Sequence, residues 1–378
     1  MHVLLIILVV ITLYYLSCIL FFLRGLLSIS PQTQAHNLSF SVVIAAHNEE
    51  AIIGDCLKRV LDQSVPEERF EVIIVDDRST DATADVVASY RRRHNNLSLI
   101  QVTETPAGVS PKKHAVAQGV RAARNEIIVF TDADCAVPST WLATIDKYFT
   151  GETGMVQGVT VYSYVDGMNR LFFGLQATDF LSHGVISAAG IGANLPINSN
   201  ANNFAFRKSV FDELDGYGSM ESIISGDDDL LLQRIYESGK WKIRFMLDRE
   251  GSVTTLPTPT LRGVFEQRKR WGSKTVHYGL NQVFVLSGVF LFYVGIIAAL
   301  VAGFFAPVFF GIAGIMLCSK LIGEYVLMLP GARMFHQEAL RKYILPASII
   351  QLPVVVAAIF GGVFGKFNWK EQRFSRKA

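Results

Sequence analysis

Two aspartates one residue apart, Asp132 and Asp134, follow the apolar run Ile127-Ile128-Val129-Phe130. Carboxylates spaced this way at the end of a strand can share one hard cation. Mg²⁺ or Mn²⁺ takes one or two protein carboxylates and fills its shell with phosphate oxygens and water. The competing use of the same residues is a solvated turn in which Asp134 caps the next helix. A second acidic pair, Asp76-Asp77, follows Val72-Ile73-Ile74-Val75. A carboxylate at that tip can accept the N–H of a uracil ring or hold ribose hydroxyls, while Thr80 or Asp81 caps the helix starting at Ala82. His47-Asn48-Glu49-Glu50 stands ahead of these, and Gly226-Asp227-Asp228-Asp229 and Gln267-Arg268-Lys269-Arg270-Trp271 stand after them. His47 and His114 read as wall residues rather than metal ligands.

Each acidic group needs an element to hold it. The β-branched runs Phe40–Ala45, Glu71–Val75, Leu97–Val102 and Glu126–Thr131 predict strands. Between them, Glu50–Leu61, Ala82–His94 and Lys112–Ala123 carry helical periodicity. Alternating β and α units predict a mostly parallel sheet covered by helices. Such sheets bind ligands beyond the carboxyl ends of their strands. His47-Asn48-Glu49, Asp76-Asp77 and Asp132-Ala133-Asp134 all fall at such ends.

The rest of the chain points to a bilayer. Half of the 378 residues are hydrophobic and only 18% are charged, which is too apolar for an ordinary soluble protein. Val3 to Leu23 contains no charged residue and is long enough to span the roughly 30 Å hydrocarbon core. A signal peptide is the alternative, but no basic residue precedes the run and no A-x-A pattern follows it. Arg24 places the downstream side in the cytoplasm. Thr275 to Ser319 is again free of Asp, Glu, Lys and Arg, and is read as helices near 281–302 and 307–329. A third candidate runs from Ile344 to Phe364. Basic residues Arg333, Arg341 and Lys342 mark a cytoplasmic loop, yet the tail also carries Lys366, Lys370, Arg373, Arg376 and Lys377. Three spans would put that tail outside, so the number of C-terminal spans is two or three. Inside the second of them, Lys320 and Glu324 lie four apart and are expected to pair. The domains expected are an anchor at 1–27, a cytoplasmic α/β domain at 38–275, a membrane region at 276–365 and a basic tail at 366–378. A net charge of +2 gives no argument for a nucleic-acid partner. Four scattered cysteines without metal-like spacing predict reduced thiols.

Taken in order, Ser41-Val42-Val43-Ile44-Ala45-Ala46-His47-Asn48-Glu49-Glu50, the Asp-Asp pair, the D-x-D, a late acidic segment and Q-x-x-R-W resemble the membrane-bound, inverting family 2 glycosyltransferases. The cellulose, chitin and hyaluronan synthases and ceramide glucosyltransferase share that signature. The resemblance covers residues 38–275. It implies a GT-A (Rossmann-like) fold with flanking transmembrane helices, a nucleotide-sugar donor, a UDP-sugar by default, and Mg²⁺ or Mn²⁺. It also implies site roles. Asn48, Glu49 and Asp77 match the uridine-contacting positions. Lys112 matches the donor-contacting lysine, with Lys113 as the alternate. Asp132 and Asp134 match the metal and diphosphate motif, and Gln267, Arg270 and Trp271 match Q-x-x-R-W. The family's T-E-D-x-D-L reads here as Ser225-Gly226-Asp227-Asp228-Asp229-Leu230, which aligns Asp227 with the catalytic base. Glycine at 226 departs from the pattern and keeps Asp228 as the alternative base. Asn202–Lys208 resembles the acceptor-side strand and the helix after it.

Inverting transfer needs one carboxylate to take the acceptor's proton while the hydroxyl attacks opposite the nucleoside diphosphate. It also needs positive charge on the departing diphosphate, which a metal, Lys112 and Arg270 would supply. Arg268 and Lys269 are expected at anionic lipid heads, with Arg270 facing inward. The apolar stretch 171–195, with Leu171, Phe172, Phe173, Phe180 and Leu181, suits a lipid acceptor or ordinary core packing. The expected enzyme is a multi-pass protein of a bacterial inner membrane that transfers one sugar to a lipid acceptor. A processive polysaccharide synthase is the alternative, with a partner subunit or dimer supplying the missing spans. An inactive, membrane-tethered binding protein is a third reading.

Overall fold

The computed structural model describes residues 2–223, 225–364, 366–369 and 372–375. Along the chain, α1 (His2–Ser28) precedes β1 (Phe40–Ala46), α2 (Ile53–Leu61), β2 (Phe70–Asp77), α3 (Thr83–Arg91), β3 (Leu97–Val102), α4 (Pro111–Ala122) and β4 (Ile127–Phe130). Then come α5 (Trp141–Asp146), β5 (Thr153–Gly158), β6 (Thr160–Tyr162), α6 (Arg170–Gly192), β7 (Phe204–Arg207), α7 (Lys208–Glu213), α8 (Asp229–Glu237), β8 (Lys242–Met246) and β9 (Val253–Thr255). The last elements are α9 (Leu261–Ser273), α10 (Leu280–Gly303), α11 (Val308–Met334), α12 (Ile344–Phe364), β10 (Lys366–Trp369) and β11 (Gln372–Ser375). They form two compact units: 30–165 with 198–257, and 1–29 with 166–197 and 258–377. The boundaries cut across the expected 38–275 domain, because α6 and α9 cluster with the long apolar helices.

The first unit is an α/β fold around a seven-stranded sheet of order β3-β2-β1-β4-β7-β5-β8. Only β7 runs against the rest, antiparallel to both β4 and β5. Strands β1 and β2 are buried almost throughout, as expected for parallel strands covered on both faces. Because side chains alternate, Phe40, Val42 and Ile44 join Val72, Ile74 and Val129 in one core against Ile53, Leu57 and Val60 of α2. Val43, Ile73, Val75, Ile128 and Phe130 point the other way, against Ala115, Val116 and Val120 of α4. Each such burial contributes about 1.5–3 kcal/mol. On α4, Gly119 permits close packing on the sheet, since a Cβ there would strike the Val43 and Val75 side chains. Pro111 opens α4 at a position where its missing N–H costs nothing.

The second unit is helical. Among the described residues four helical segments, His2–Ser28, Leu280–Gly303, Val308–Met334 and Glu338–Gly361, are long and apolar enough to cross a membrane. Outward positions of α1 are themselves apolar: Leu13 is 62% and Leu20 65% exposed, while Leu8, Tyr15 and Phe22 are buried. Helices α1 and α6 approach so closely that a Cβ at Gly25 or Gly192 would strike the other's backbone. Phe180 and Leu181 of α6 are buried core residues, and of the large apolar residues named in that stretch Leu171 alone stands well exposed. The tail begins with the antiparallel pair β10–β11; Lys370, Arg376 and Lys377 lie outside the described residues.

Candidate active site

Within the α/β unit the chain leaves β1 to one side, through β2 and β3, and returns to the other side at β4. That reversal opens a crevice at the carboxyl ends of β1 and β4. The loop after β1 carries His47, Asn48 and Glu49; the loop after β4 carries Asp132 and Asp134.

The first two loops are tied together. Asn48 adopts φ +55° and Arg78 φ +59°, a left-handed region that Asn tolerates better than most residues. Asn48 Oδ1 accepts from Thr80 N at 2.8 Å, and Asn48 N donates to Ser79 Oγ at 3.0 Å. Glu49 N donates to Thr83 Oγ1 at 2.8 Å, and His47 Nδ1 lies 2.6 Å from the Asp77 carbonyl oxygen. Asp77 is nearly buried and pairs with Arg78 at 2.9 Å. Asn48, Glu49 and Asp77 therefore stand together, with Asn48 serving the loop as much as any ligand.

The centre of the site is Lys112, on the first turn of α4. Its Nζ lies 3.0 Å from Asp132 Oδ1 and 3.2 Å from Asp227 Oδ2. Burial alone would favour the neutral amine, but Asp132 and Asp227 outweigh it and hold the lysine protonated. Asp227 shows the reciprocal effect: burial pushes its carboxyl up, and Lys112 more than offsets this, leaving it below the ordinary carboxylate range. Asp134 is raised instead, first by burial and then by Asp132. Lys113 is turned away and buried, donating to the carbonyls of Met220 at 2.9 Å, Ser225 at 3.2 Å and Ile223. It thus anchors the segment that leads into Asp227.

The departure at Gly226 has a backbone reason. Its φ is +83°, a conformation that a glutamate side chain would strain. Asp228 is the N-cap of α8 without a side-chain capping bond. Asp229 is fully buried and accepts from Ser199 N, so it fastens the preceding loop rather than facing a ligand. Cys135, next to the D-x-D, is buried, and burial first and then Asp134 and Asp132 keep it a thiol.

The residues Gln267, Arg270 and Trp271 lie on α9, in the helical unit. Here a correction is needed. Arg268 does not face lipid heads: it is 5% exposed, donates from Nε to Asp179 Oδ2 at 2.6 Å, and stacks 4.0 Å above the Trp271 ring. Gln267 Oε1 accepts from Arg268 at 2.9 Å. His183 meets the Trp271 ring edge-on at 4.9 Å. Burial, then Arg268, pushes His183 down to about 4, so it is neutral at neutral pH. Asp179 and His183 were not singled out from sequence. The available signal was Asp179 as the one acid in an otherwise uncharged stretch, 171–195.

Among the described residues no three His, Cys, Asp or Glu side chains are grouped to hold a metal. The donor set that is present is the pair Asp132 and Asp134. Two hard oxygen ligands fit Mg²⁺ or Mn²⁺ when a diphosphate and water supply the rest. Asp134 is raised first by burial, with the neighbouring Asp132 charge adding to it.

Residues 41–214 match the model of glycosyl transferase family 2. The chain is 32% identical over 97 residues to poly(ribitol-phosphate) beta-glucosyltransferase of Bacillus spizizenii, covering 26% of this chain and 15% of that one. It is 27% identical over 239 residues to beta-monoglucosyldiacylglycerol synthase of Synechocystis sp., covering 61% of this chain and 46% of that one. The chain thus spans less than half the length of these curated relatives. The solved mannosyltransferase PcManGT of Pyrobaculum calidifontis, in complex with GDP-Man and Mn²⁺, superposes with a TM-score of 0.55 at 17% identity, covering 93% of this chain and 97% of that one. The α/β unit has the GT-A fold. The stretch 41–214 is thus similar to family 2 glycosyltransferases, and among the described residues four helices are of membrane-spanning length.

Proposed function

We propose that this protein is a metal-dependent, inverting glycosyltransferase that moves one sugar from a nucleotide-sugar, read as a UDP-sugar, to a lipid acceptor. The observation that carries this reading is Lys112 bridging Asp132 and Asp227 at the strand-order reversal. It joins the proposed diphosphate motif to the proposed base through one cation. Asp132 and Asp134 would hold Mg²⁺ or Mn²⁺, which would supply positive charge to the diphosphate. Asn48, Glu49 and Asp77 face the nucleoside, and Lys112 turns to the diphosphate. Asp227, kept ionised, takes the acceptor hydroxyl's proton, with Asp228 as the alternative. Gln267, Arg270 and Trp271 are read as donor-side residues from their match to Q-x-x-R-W. The glucosyldiacylglycerol synthase relative supports the lipid acceptor, and the Mn²⁺ in the mannosyltransferase complex supports the cation. The four membrane-length helices among the described residues are few for an extruding synthase, which favours single transfer.

The test is hydrolysis and transfer from a panel of UDP-sugars and GDP-mannose by purified protein with Mn²⁺, with and without lipid extract. One donor turned over faster with lipid, and a lipid product, is the expected result; polymer without lipid stimulation would favour the synthase. The α/β unit faces the cytoplasm of a bacterial inner membrane in this reading. A cysteine engineered there should escape membrane-impermeant labelling of intact cells, and labelling would reverse the orientation.

A further inference from the structure

The helical unit contains a cavity of about 180 Å³ lined by residues of α1, α6, α10, α11 and α12. Part of its wall is apolar, including Phe22, Val289 and Leu327; part is polar, including Asp179, Tyr293, Glu324 and Gln351. Ionisable residues inside a membrane bundle are costly and mark function more often than packing. These are also connected. Lys320 Nζ lies 2.7 Å from Glu324 and donates to the Ser348 carbonyl at 2.7 Å. Tyr293 OH donates to Glu324 at 2.6 Å and reaches Gln351 Oε1 at 3.4 Å, while Tyr15 OH lies 3.4 Å from Glu324. Asp179, bonded to Arg268, is also hydrogen-bonded to Gln351.

Both carboxylates of this wall are paired with cations that lie outside the lining. Glu324 has Lys320 and Asp179 has Arg268, one cation for each carboxylate. A phosphate headgroup entering here would find no spare cation, and an ammonium no spare carboxylate; either would be left as an unpaired buried charge, which costs several kcal/mol. A hydroxyl brings no charge and can donate. Glu324 receives three donors, Lys320, Tyr293 and Tyr15, against about four lone-pair sites on a carboxylate, so one acceptor site is left for it. The volume is close to that of an engineered cavity of about 150 Å³ that takes benzene. It therefore fits the hydroxyl end of a lipid and a few carbons, not a whole lipid. Because the outer surface of α1 is apolar, a solute dissolved in the bilayer is the one that reaches this site.

We propose that this cavity binds the hydroxyl end of an uncharged lipid alcohol of the diacylglycerol class, with Glu324 accepting a hydrogen bond from its hydroxyl and Phe22, Val289 and Leu327 covering its first carbons. The site does not depend on that lipid being the acceptor of the proposed transfer.

The test uses the whole protein in phosphatidylcholine nanodiscs and a diacylglycerol carrying a diazirine near the glycerol, with the matching phosphatidic acid as control. The diacylglycerol should label peptides of α10 and α11 at least tenfold more than the phosphatidic acid, and unlabelled diacylglycerol should compete. Val289→Trp, which fills the cavity, should reduce labelling about tenfold. Ala347→Leu is the milder filling variant, used if thermal unfolding shows that Val289→Trp does not fold. Equal labelling by the two lipids, or labelling that survives in a folded filling variant, overturns the proposal.

Discussion

Lys112 and Lys320 are both largely buried, yet their surroundings ask for opposite ligands. In the α/β unit Lys112 faces Asp132 and Asp227 directly, with Asp228 also acting on it and Asp134 beside Asp132. Acid outnumbers base among these groups, an arrangement that suits a further cation. In the helical unit Lys320 faces one carboxylate and Asp179 one guanidinium, and the account is balanced. Surplus charge at a strand-end crevice suits a metal–diphosphate pair. Balanced charge inside apolar helices suits a neutral molecule. The same residue types thus signal different chemistry through their local ratio.

The largest expected effect breaks the first region. Asp227→Asn should lower the transfer rate by about 10²–10⁴-fold while leaving donor affinity nearly unchanged, the usual signature of a lost general base. Asp228→Asn should cost far less. Steady-state kinetics with measured donor affinity decide, and the opposite ranking makes Asp228 the base.

The next prediction concerns the helical unit's ion pairs. Arg268→Ala leaves Asp179 buried and unpaired, which should cost about 3–5 kcal/mol and show as a large fall in thermal stability in detergent. The exposed Lys208–Asp212 pair, at 3.4 Å, should lose under about 1 kcal/mol on Lys208→Ala. Similar losses for both would show that Arg268 is not as enclosed as described.

A smaller effect sharpens the comparison through pH. Asp227 is depressed because Lys112 outweighs burial. A base works as the carboxylate and is lost as pH falls through its pKa, so the acid limb of kcat/KM should lie below the ordinary value of about 3.9. Activity should stay flat from pH 8 to about 5. In Lys112→Met burial is no longer offset, and the residual activity should fall with pH inside that window. The same sign applies to stability: the Lys112–Asp227 contribution is present above the unfolded carboxylate's pKa and fades as pH falls through the folded one. An unmoved acid limb in the variant would mean that Lys112 does not tune Asp227.

The smallest concerns Asn48. Asn48→Ala loses the bond to Thr80 N, worth about 1 kcal/mol, and places a Cβ-bearing residue without a compensating side chain at φ +55°. Asn48→Gly keeps the backbone at ease and loses only the bond. Urea or thermal unfolding should rank alanine below glycine.

Much of this was legible in the chain itself. Strands β1 to β4 fall within a residue or two of their apolar runs, and the four long apolar segments are helices, because continuous Val, Ile and Leu leave few other ways to fold. The mostly parallel sheet followed from the alternation. What did not show was the second half of the sheet. Strand β5 contains two glycines and β8 carries Lys242 and Arg244, so neither announces itself locally. The division into units was equally hidden. Helix α9 looks soluble by charge, yet it packs against α12, with Gly272 close to the Ala358 backbone, and pairs Arg268 with Asp179, 89 residues away. For the site, residue types were readable but partners were not. The resemblance ranks Lys112 ahead of Lys113 without a partner for either; in the fold Lys112 turns to the carboxylates and Lys113 to backbone carbonyls.

The central claim is that the acid surplus around Lys112 requires a divalent cation before a nucleoside diphosphate can bind. Calorimetric titration of UDP and of GDP into the purified protein, with Mn²⁺ and then with EDTA, tests it most directly. At least one nucleotide should bind with Mn²⁺ and lose tenfold or more of its affinity in EDTA, in Asp132→Asn and in Asp134→Asn. Equal affinity in EDTA, or in both variants, would contradict the account.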